Sequence, residues 1–163
     1  MKCVTSSNVI QTRHLFILLI CCRQLCVLLS AEDIYRSLAE LLLTEANLKF
    51  ARLMVETLNT ILLTTSELFE LRNRLRSLSS GGSCRLKDCE LFTCLYMTWC
   101  HSQIASVALC LLTGCYKHAA DLVVVISEQE VTLEMLTELD RLVQLIESPI
   151  FTCKYSILTR IFF

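Results

Sequence analysis

The chain has 163 residues, of which 54% are hydrophobic and 19% are charged, and its formal net charge is -1. A net charge this close to zero argues against the class of strongly basic proteins that bind nucleic acids through their phosphates. Soluble domains usually carry about 25% charged residues, and a small domain has much surface to cover with polar groups. The composition therefore predicts either a membrane span or helix faces that pack against further neighbours.

Cysteine is frequent, with eleven residues, an odd number. Several of them lie inside apolar runs, namely Cys22, Cys26, Cys94 and Cys110. A free cysteine behaves as a small hydrophobic residue that is readily buried, whereas a secreted disulfide framework uses an even number of cysteines in a short, loop-rich chain. The cysteine pattern therefore predicts reduced thiols and a cytoplasmic protein.

The best candidate for a membrane anchor is residues 15–29, LFILLICCRQLCVLL. A spanning helix needs about 20 mostly apolar residues, and a central arginine costs at least ~2.5 kcal/mol. Arg23 and Gln24 interrupt this run, which disfavours a span. Lys2 and Arg13 before an apolar run resemble the charged start of a secretory signal. A membrane-anchored or secreted helical protein that uses residues 15–29 as its anchor or signal stays open as the alternative.

From residue 30 onward the chain is patterned as amphipathic helices. Ser30 is a typical N-cap, and two acidic residues follow it in the first turn, where the helix dipole favours negative charge. After a break at residues 44–47, a second helix has a hydrophobic face with the spacing of an amphipathic helix. The residues predicted on that face are Leu48, Ala51, Met54 or Val55, Leu58 and Leu62, with Lys49, Arg52, Glu56 and Asn59 opposite.

A third helix is predicted to begin after the polar residues 64–66 and to end in arginines, the charge order that the helix dipole favours. The run SSGGSCRLK, residues 79–87, predicts a loop because paired glycine and serine end a helix. Asp88 is then expected to cap a fourth helix. The predicted hydrophobic face of that helix is Leu91, Phe92, Leu95, Tyr96 and Trp99.

The segment 104–112 is apolar nearly all round, and such a helix is expected to be buried on several sides. A turn at residues 101–102 precedes it, and Gly114 is expected to end it. A further helix is predicted over residues 116–126. The last helix has the clearest pattern, with Leu133, Leu136, Leu139, Val143 and Ile146 inside and Glu134, Glu138, Arg141 and Gln144 outside.

No stretch alternates with a period of two for long enough to be a convincing strand. About eight helices joined by tight turns, in pairs that recur roughly every 30–40 residues, are typical of stacked helical hairpins. The predicted fold class is all-α: an α-solenoid of HEAT/armadillo-like helical hairpins, as an incomplete fragment of a longer array. A single closed helical bundle is the alternative. The shortage of charged residues favours the solenoid, whose repeats face neighbours on two sides.

Four residues are candidates for chemistry: Cys100, His101, Cys115 and His118. Zinc needs four thiolate or imidazole ligands arranged as a tetrahedron, and two adjacent residues are poorly placed to bind one ion together. A Cys–His nucleophilic pair would need an oxyanion hole and an orienting third group, for which no pattern is visible. A zinc- or thiol-dependent enzyme is therefore the weaker hypothesis. The sequence predicts no catalytic residue, no metal, no cofactor and hence no enzyme.

Aromatic and histidine side chains near the turn are the predicted protein interface, because aromatic residues dominate binding hot spots. These residues are Tyr96, Trp99, His101, Tyr116 and His118. At their helical spacing, Tyr96 and Trp99 are more typical of packing inside the core.

Charge is distributed unevenly along the chain. The basic residues cluster in one region, Arg72, Arg74, Arg76, Arg85 and Lys87, and residues 128–147 are strongly acidic. Ordinary solvated surface and helix-dipole complementation explain both runs. The functional alternative is a basic edge that faces an anionic membrane or an acidic partner.

Four segments resemble a known family: RQLCVLLSAEDIYRSLAELLL, KFARLMVETLNTILLTTSELFELRNRL, LYMTWCHSQIASVALCLLTGCYKHAADL and LTELDRLVQLIESPIFT. Together they are similar to the C-terminal region of the vacuole-morphology scaffold family, also called ArPIKfyve. The similarity runs from about Arg23 to Thr152 over many consecutive positions and depends on no short motif. Because the family consists of HEAT-repeat scaffolds, the resemblance also implies an all-α solenoid.

The resemblance implies a non-enzymatic scaffold subunit of a complex that controls phosphatidylinositol 3,5-bisphosphate on endosomal and lysosomal or vacuolar membranes. The implied partners are the PIKfyve phosphatidylinositol-3-phosphate 5-kinase, the opposing Sac-domain phosphoinositide 5-phosphatase, and further copies of the scaffold. The matching region is the part of the family associated with phosphatase binding and self-assembly. The expected location is the cytoplasm, peripheral on those membranes, and no nucleic acid is expected.

The resemblance also divides the chain into three parts. Residues 1–22 form a divergent N-terminal segment, residues 23–152 the helical repeat module, and residues 153–163 a divergent tail. Because the family continues in both directions beyond this module, the divergent ends suggest a truncated form. Helix faces meant for missing neighbours would then be exposed and liable to self-associate.

Overall fold

The computed structural model describes residues 20–78, 86–130 and 132–147, apart from residues 22 and 27 and the side chains of residues 86–88. Every regular element in these ranges is helical. The helices, in chain order, are α1 (Ala31–Leu43), α2 (Leu48–Thr64), α3 (Phe69–Ser77), α4 (Leu86–Trp99), α5 (Gln103–Thr113), α6 (Tyr116–Ser127) and α7 (Leu133–Ile146), with a 3₁₀ turn, Ser66–Leu68, before α3. Helical residues also precede α1, between residues 20 and 28. These stacked helices confirm the prediction of an all-α solenoid fragment.

Polar caps set where several helices begin. The side chains of Ser30, Asn47, Ser102 and Thr132 each accept a hydrogen bond from the backbone N–H three residues further on, at 3.5, 3.2, 3.4 and 3.2 Å. Each bond satisfies an N–H that the first helical turn cannot pair. Gly114 ends α5 in the left-handed conformation, with a φ of 77°, which a residue without a Cβ adopts at no steric cost.

Helix α5 lies at the centre of the array. It packs against α2, α3, α4, α6 and α7, and all its residues except Gln103 and Leu111 are buried. The Ser106 hydroxyl, a polar group in the middle of this helix, donates to the Trp99 carbonyl at 2.9 Å. The prediction that residues 104–112 are buried on several sides is confirmed.

A polar network crosses the core between α1, α2 and α4. Tyr35 and Trp99 are fully buried, and their ring centroids lie 6.3 Å apart. The Tyr35 hydroxyl donates to the Leu58 carbonyl at 3.0 Å, and the Trp99 indole N–H donates to Asn59 Oδ1 at 3.1 Å. The prediction that Asn59 lies on the polar face of α2 is wrong, because the indole gives its amide a partner inside the core. Both large rings are therefore buried with their polar atoms bonded.

Arg72 of α3 also lies in the core, 3% exposed, which corrects its predicted place in a basic surface run. Its guanidinium donates to the carbonyls of Leu62 and Thr65 at 2.9 and 2.5 Å. These carbonyls lie in the last turn of α2 and just after it, where helical acceptors have no partner in their own helix. Burial lowers the pKa of the guanidinium, although an arginine stays charged at any ordinary pH. Arg72 therefore joins the end of α2 to α3.

Helix α7 is rotated about its axis relative to the sequence prediction. Met135 and Leu142 face the core. Of the residues that the pattern placed inside, Leu139 and Ile146 are half-buried and pack against the core, whereas Leu133, Leu136 and Val143 are exposed. Glu138, which was predicted to face outward, lies 2.8 Å from Arg52 of α2. The apolar arc of α7 is wide enough for either rotation, and this ion pair favours the observed one.

Two smaller corrections concern helix ends. Leu48, predicted on the hydrophobic face of α2, is 66% exposed, because it is the first residue of the helix and the buried part begins at Ala51. Helix α4 begins at Leu86, two residues before Asp88, the predicted cap. Helix ends vary by one or two residues in this way when no capping side chain determines them.

The candidate membrane anchor is described from residue 20 onward, and residues 15–19 lie outside the described part. Arg23, whose charge interrupts the apolar run, forms an ion pair with Glu67 of the 3₁₀ turn at 2.6 Å. This contact is the main reason why the pKa of the Glu67 carboxyl falls to about 2. No helix in the described ranges combines the length and the apolar character that a membrane crossing needs.

Candidate interaction surfaces

Three aromatic side chains of α4 and α6 form one cluster, which we call the α4–α6 cluster: Phe92, Tyr96 and His118. The ring centroids of Phe92 and Tyr96 lie 5.7 Å apart, and those of Tyr96 and His118 lie 5.4 Å apart. The Tyr96 hydroxyl and His118 Nε2 are hydrogen-bonded at 2.5 Å, across 22 residues of sequence. Phe92 and Tyr96 are half-buried, and His118 is exposed. The bond fixes an aromatic surface between two helices.

The electrostatic surroundings keep the Tyr96 phenol neutral. Burial raises the pKa of its hydroxyl, and the nearby thiols of Cys100 and Cys110 raise it further. A protonated phenol can donate its hydrogen to an unprotonated imidazole nitrogen of His118.

The other predicted interface residues occupy different environments. Trp99 is fully buried, which agrees with the packing interpretation of its helical spacing and leaves its ring no surface to offer. His101 is half-buried in the turn between α4 and α5, and Tyr116 is half-buried in the first turn of α6. Burial raises the pKa of the Tyr116 hydroxyl. Of the predicted set, Tyr96 and His118 are the pair that the fold brings into direct contact.

The cysteines near this cluster differ in exposure. Cys100 is exposed, Cys115 is half-buried and Cys110 is buried, each as a free thiol. Burial raises the pKa of Cys110 to about 12, so this thiol is a poor nucleophile near neutral pH. Cys89 departs from the predicted reduced state, because it is disulfide-bonded, and it is exposed near the start of α4. Among the described residues, no group of three or more histidine, cysteine or carboxylate side chains is placed to hold a metal ion.

The outer face of α7 is the second surface, and we call three of its residues, Leu133, Leu136 and Val143, the α7 stripe. Their exposed fractions are 81%, 52% and 50%. Leu136 and Val143 are separated by about two helical turns, so they stack along the helix. Each directly follows one of the inward residues, Met135 and Leu142. The covered and uncovered apolar residues therefore lie side by side, about 100° apart around the helix axis.

The α7 stripe lies in an acidic segment of the chain, and Asp140 and Glu147 share its face of the helix. Residues 128–147 contain six acidic residues and one basic residue, Arg141. Five of the six acidic residues are exposed, and they form what we call the acidic border: Glu128, Glu130, Glu134, Asp140 and Glu147. The sixth, Glu138, is paired with Arg52, which also lies 2.7 Å from Glu56. An exposed apolar stripe of this kind is typical of a protein contact. The negative charge of the acidic border disfavours contact with an anionic membrane.

The stacked helices define a helical-repeat module with two exposed aromatic or apolar surfaces. Within that class, the chain belongs to the family described as Vacuolar protein 14 C-terminal Fig4p binding, which it matches over residues 7–158. The resemblance predicted from the four segments is therefore confirmed.

Three curated relatives show the same similarity. The chain is 45% identical to Protein VAC14 homolog of Arabidopsis thaliana and 48% identical to Protein VAC14 homolog of Schizosaccharomyces pombe, each over 130 residues. It is 31% identical to Vacuole morphology and inheritance protein 14 of Saccharomyces cerevisiae over 146 residues. These matches cover 80%, 80% and 90% of this chain but 17%, 15% and 15% of the relatives. No solved structure matches the chain significantly.

Proposed function

We propose that the chain is a non-enzymatic interaction module of a phosphoinositide-regulating scaffold and that it binds the Sac-domain phosphoinositide 5-phosphatase, Fig4p. The observation that carries this proposal is the family match, which spans residues 7–158 and is described by Fig4p binding. Two features of the structure support it: a packed helical core that holds surface residues in place, and exposed aromatic and apolar surfaces on α4, α6 and α7.

We propose a wider setting for the module from the same resemblance. The complete scaffold would hold the PIKfyve kinase together with the phosphatase, self-associate, and so control phosphatidylinositol 3,5-bisphosphate. The name of the budding yeast relative refers to vacuole morphology and inheritance, which supports a place of action on vacuolar, endosomal or lysosomal membranes. The module would lie in the cytoplasm and reach these membranes through its partners.

For the module itself, we propose that residues 23–152 form the working part, with divergent segments before and after it. We also propose that the α4–α6 cluster, together with His101 and Tyr116, is a protein contact of the assembly. The bond between Tyr96 and His118 supports this, because it holds two amphipathic rings in one geometry before any partner binds.

The test is co-precipitation of the full chain with Fig4p after both are expressed in cells that lack the native scaffold. We expect the chain to retain the phosphatase. A longer relative that retains Fig4p where this chain does not would contradict the proposal that this chain is sufficient for binding.

The contact at the cluster is tested in the same cells with Tyr96→Phe and His118→Ala. Both changes break the hydrogen bond, and both should lower the recovery of at least one of the three partners: phosphatase, kinase or a second copy of the chain. The matched control is Phe69→Ala, since Phe69 is an aromatic residue of α3 that is 53% exposed. Unchanged recovery of all three partners would remove the cluster from the proposal.

A further inference from the structure

We propose that the α7 stripe and its acidic border are the surface on which the phosphatase docks, and that the phosphatase contributes an apolar ridge flanked by lysine or arginine residues. The inference rests on the proposed function, because the partner is the same protein. It adds the face of this chain that makes the contact and the chemistry that the partner must present.

Helix α7 leaves part of its apolar surface uncovered. Its apolar side chains extend from the inward residues Met135 and Leu142 round to Leu133, which is 81% exposed. An amphipathic helix on a protein surface needs only one apolar stripe to join its core. The second stripe, Leu136 and Val143, keeps about half of its surface uncovered by the described part of the chain, with exposed fractions of 52% and 50%, and this uncovered half is the area that the partner would bury.

The exposed charges of this segment are complementary to a basic partner. Asp140 and Glu147 share the face of the helix that carries the stripe, and residues 128–147 have five exposed carboxylates and one arginine, so a basic partner surface is attracted and an acidic one is repelled. The helix already accepts a basic group in this way, since Glu138 binds the Arg52 guanidinium of α2 at 2.8 Å. A second copy of the chain is a poor occupant, because a two-fold contact would bring two acidic borders against each other.

Helix α7 holds the stripe in a fixed position on the core. The helix has 14 residues, about 21 Å at 1.5 Å per residue, and it packs on the central helix α5. Thr132 caps its start at 3.2 Å, and Arg52 holds its middle. A preorganised helix face loses little conformational freedom when a partner covers it.

The experiment measures the affinity of purified full chain for purified Fig4p, with three kinds of variant. Leu136→Glu with Val143→Glu places charge in the stripe, and Asp140→Lys with Glu147→Lys reverses part of the border. The matched control is Leu41→Glu with Leu48→Glu, since both leucines are 66% exposed on other helices. Circular dichroism of each variant checks that it is folded.

We expect the stripe variant to bind at least about tenfold more weakly, as for a hot spot. We expect the border variant to weaken binding by about fivefold or more and to reduce its salt dependence between about 0.05 and 0.5 M. The control should stay within about twofold of the unaltered chain. The border variant changes only exposed positions, so it remains informative if the stripe variant does not fold.

Three outcomes would overturn the inference. If the unaltered chain and the border variant bind Fig4p equally well, the phosphatase docks on another face, and the proposed function still holds. An affinity that does not change with salt would contradict a basic partner surface. Unaltered chain that does not bind Fig4p at all would refute the proposed function and this inference together.

Discussion

The core around Trp99 and the α7 end use the same kind of residue in different ways. Helix α2, beside Trp99, buries nine of its 17 residues, whereas α7 buries two of its 14. The core pairs its buried polar atoms across helices, as Tyr35 and Trp99 do. Helix α7 is joined to the rest by the buried Met135 and Leu142, by three half-buried residues that pack against the core, Leu139, Leu145 and Ile146, and by the ion pair between Arg52 and Glu138.

Because of this difference, the core around Trp99 carries most of the stability, and α7 carries surface that a partner can recognise. A helix with many buried neighbours contributes to global stability, and a helix with few opens at lower free energy. The same lack of neighbours leaves apolar side chains exposed for a partner. Helix α7 is therefore the part of the described chain in which binding residues can change with least effect on folding.

The largest expected effect is that of Trp99→Ala. Removing a fully buried indole leaves a cavity and a buried Asn59 amide without its partner, and such changes destabilise by about 3–5 kcal/mol. Leu142→Ala on α7, where Leu142 is 6% exposed, should cost about 2 kcal/mol, near the lower end for leucine. Urea unfolding followed by circular dichroism measures both. If both variants lose the same free energy of unfolding, the core around Trp99 and α7 do not differ in their contribution to stability.

Arg72→Met should have the next largest effect. Methionine keeps an unbranched apolar stem but removes the guanidinium donor from the carbonyls of Leu62 and Thr65. The Thr65 carbonyl still accepts from the Leu68 N–H at 3.4 Å, whereas the Leu62 carbonyl loses its donor, and one unsatisfied buried group costs about 1–3 kcal/mol. Arg141→Met on α7, an exposed site, is the control and should change stability by less than about 0.5 kcal/mol. The measurement is again the free energy of unfolding. If both variants are equally stable, the end of α2 does not depend on Arg72.

Local signals in the sequence predicted much of the fold. Ser30 caps α1 where the pattern placed it, and Gly114 ends α5. The buried character of residues 104–112 also follows from the sequence alone, because a helix that is apolar nearly all round has no side that prefers water. These features depend on residues within one or two turns of each other.

Features that depend on a distant partner were not predictable in this way. The helical pattern predicts Asn59 as a polar surface residue, because its hydrogen-bond donor, Trp99, lies 40 residues away in the sequence. Glu138 of α7 faces Arg52, 86 residues earlier in the chain, and no helical period contains that information. A wide apolar arc was the one signal that α7 offers more than one stripe.

For the candidate interface, the sequence suggests residue types, and their arrangement is visible only in the structure. Tyr96 and His118 were chosen for their chemistry, and the fold places them in contact across 22 residues. Trp99 was chosen with them but lies in the core, because one turn of a helix separates a half-buried position from a fully buried one. The α7 stripe was missed as a surface because the pattern assigned its residues to the interior.

Arg52→Ala should have a small effect that is confined to α7. Its side chain is 43% exposed, and pairs of this kind contribute about 0.2–1 kcal/mol. Amide hydrogen exchange in α7 should accelerate by up to about fivefold, while exchange in α5 stays unchanged. Arg36→Ala is the control, because it breaks an ion pair within α1. Faster exchange in α5 would show that α7 and the core open together, which would contradict the expectation that α7 opens at a lower free energy.

The smallest expected effect is the pH dependence of Glu56→Gln. This variant tests the contact between α2 and α7, in which Arg52 pairs with both Glu56 and Glu138. Burial raises the pKa of Glu56, and its hydrogen bond with Glu138 adds to the rise, while Arg52 opposes it. The folded chain therefore binds the Glu56 proton more tightly than the unfolded chain does. The contribution of Glu56 to stability is greatest below its unfolded pKa, about 4.3, and is lost as the pH rises through the folded pKa.

Glutamine resembles the protonated side chain at every pH. Glu56→Gln should therefore melt slightly above the unaltered chain at pH 7, and this difference should shrink as the pH falls towards about 4.3. Glu134→Gln, which removes an exposed carboxylate of α7, is the control for a general loss of negative charge. Thermal unfolding at several pH values measures the difference. If the variant is instead less stable at pH 7, the attraction between Glu56 and Arg52 outweighs the cost of burial and the repulsion from Glu138. Ion pairing would then contribute more to the attachment of α7 than the small number of its buried residues suggests.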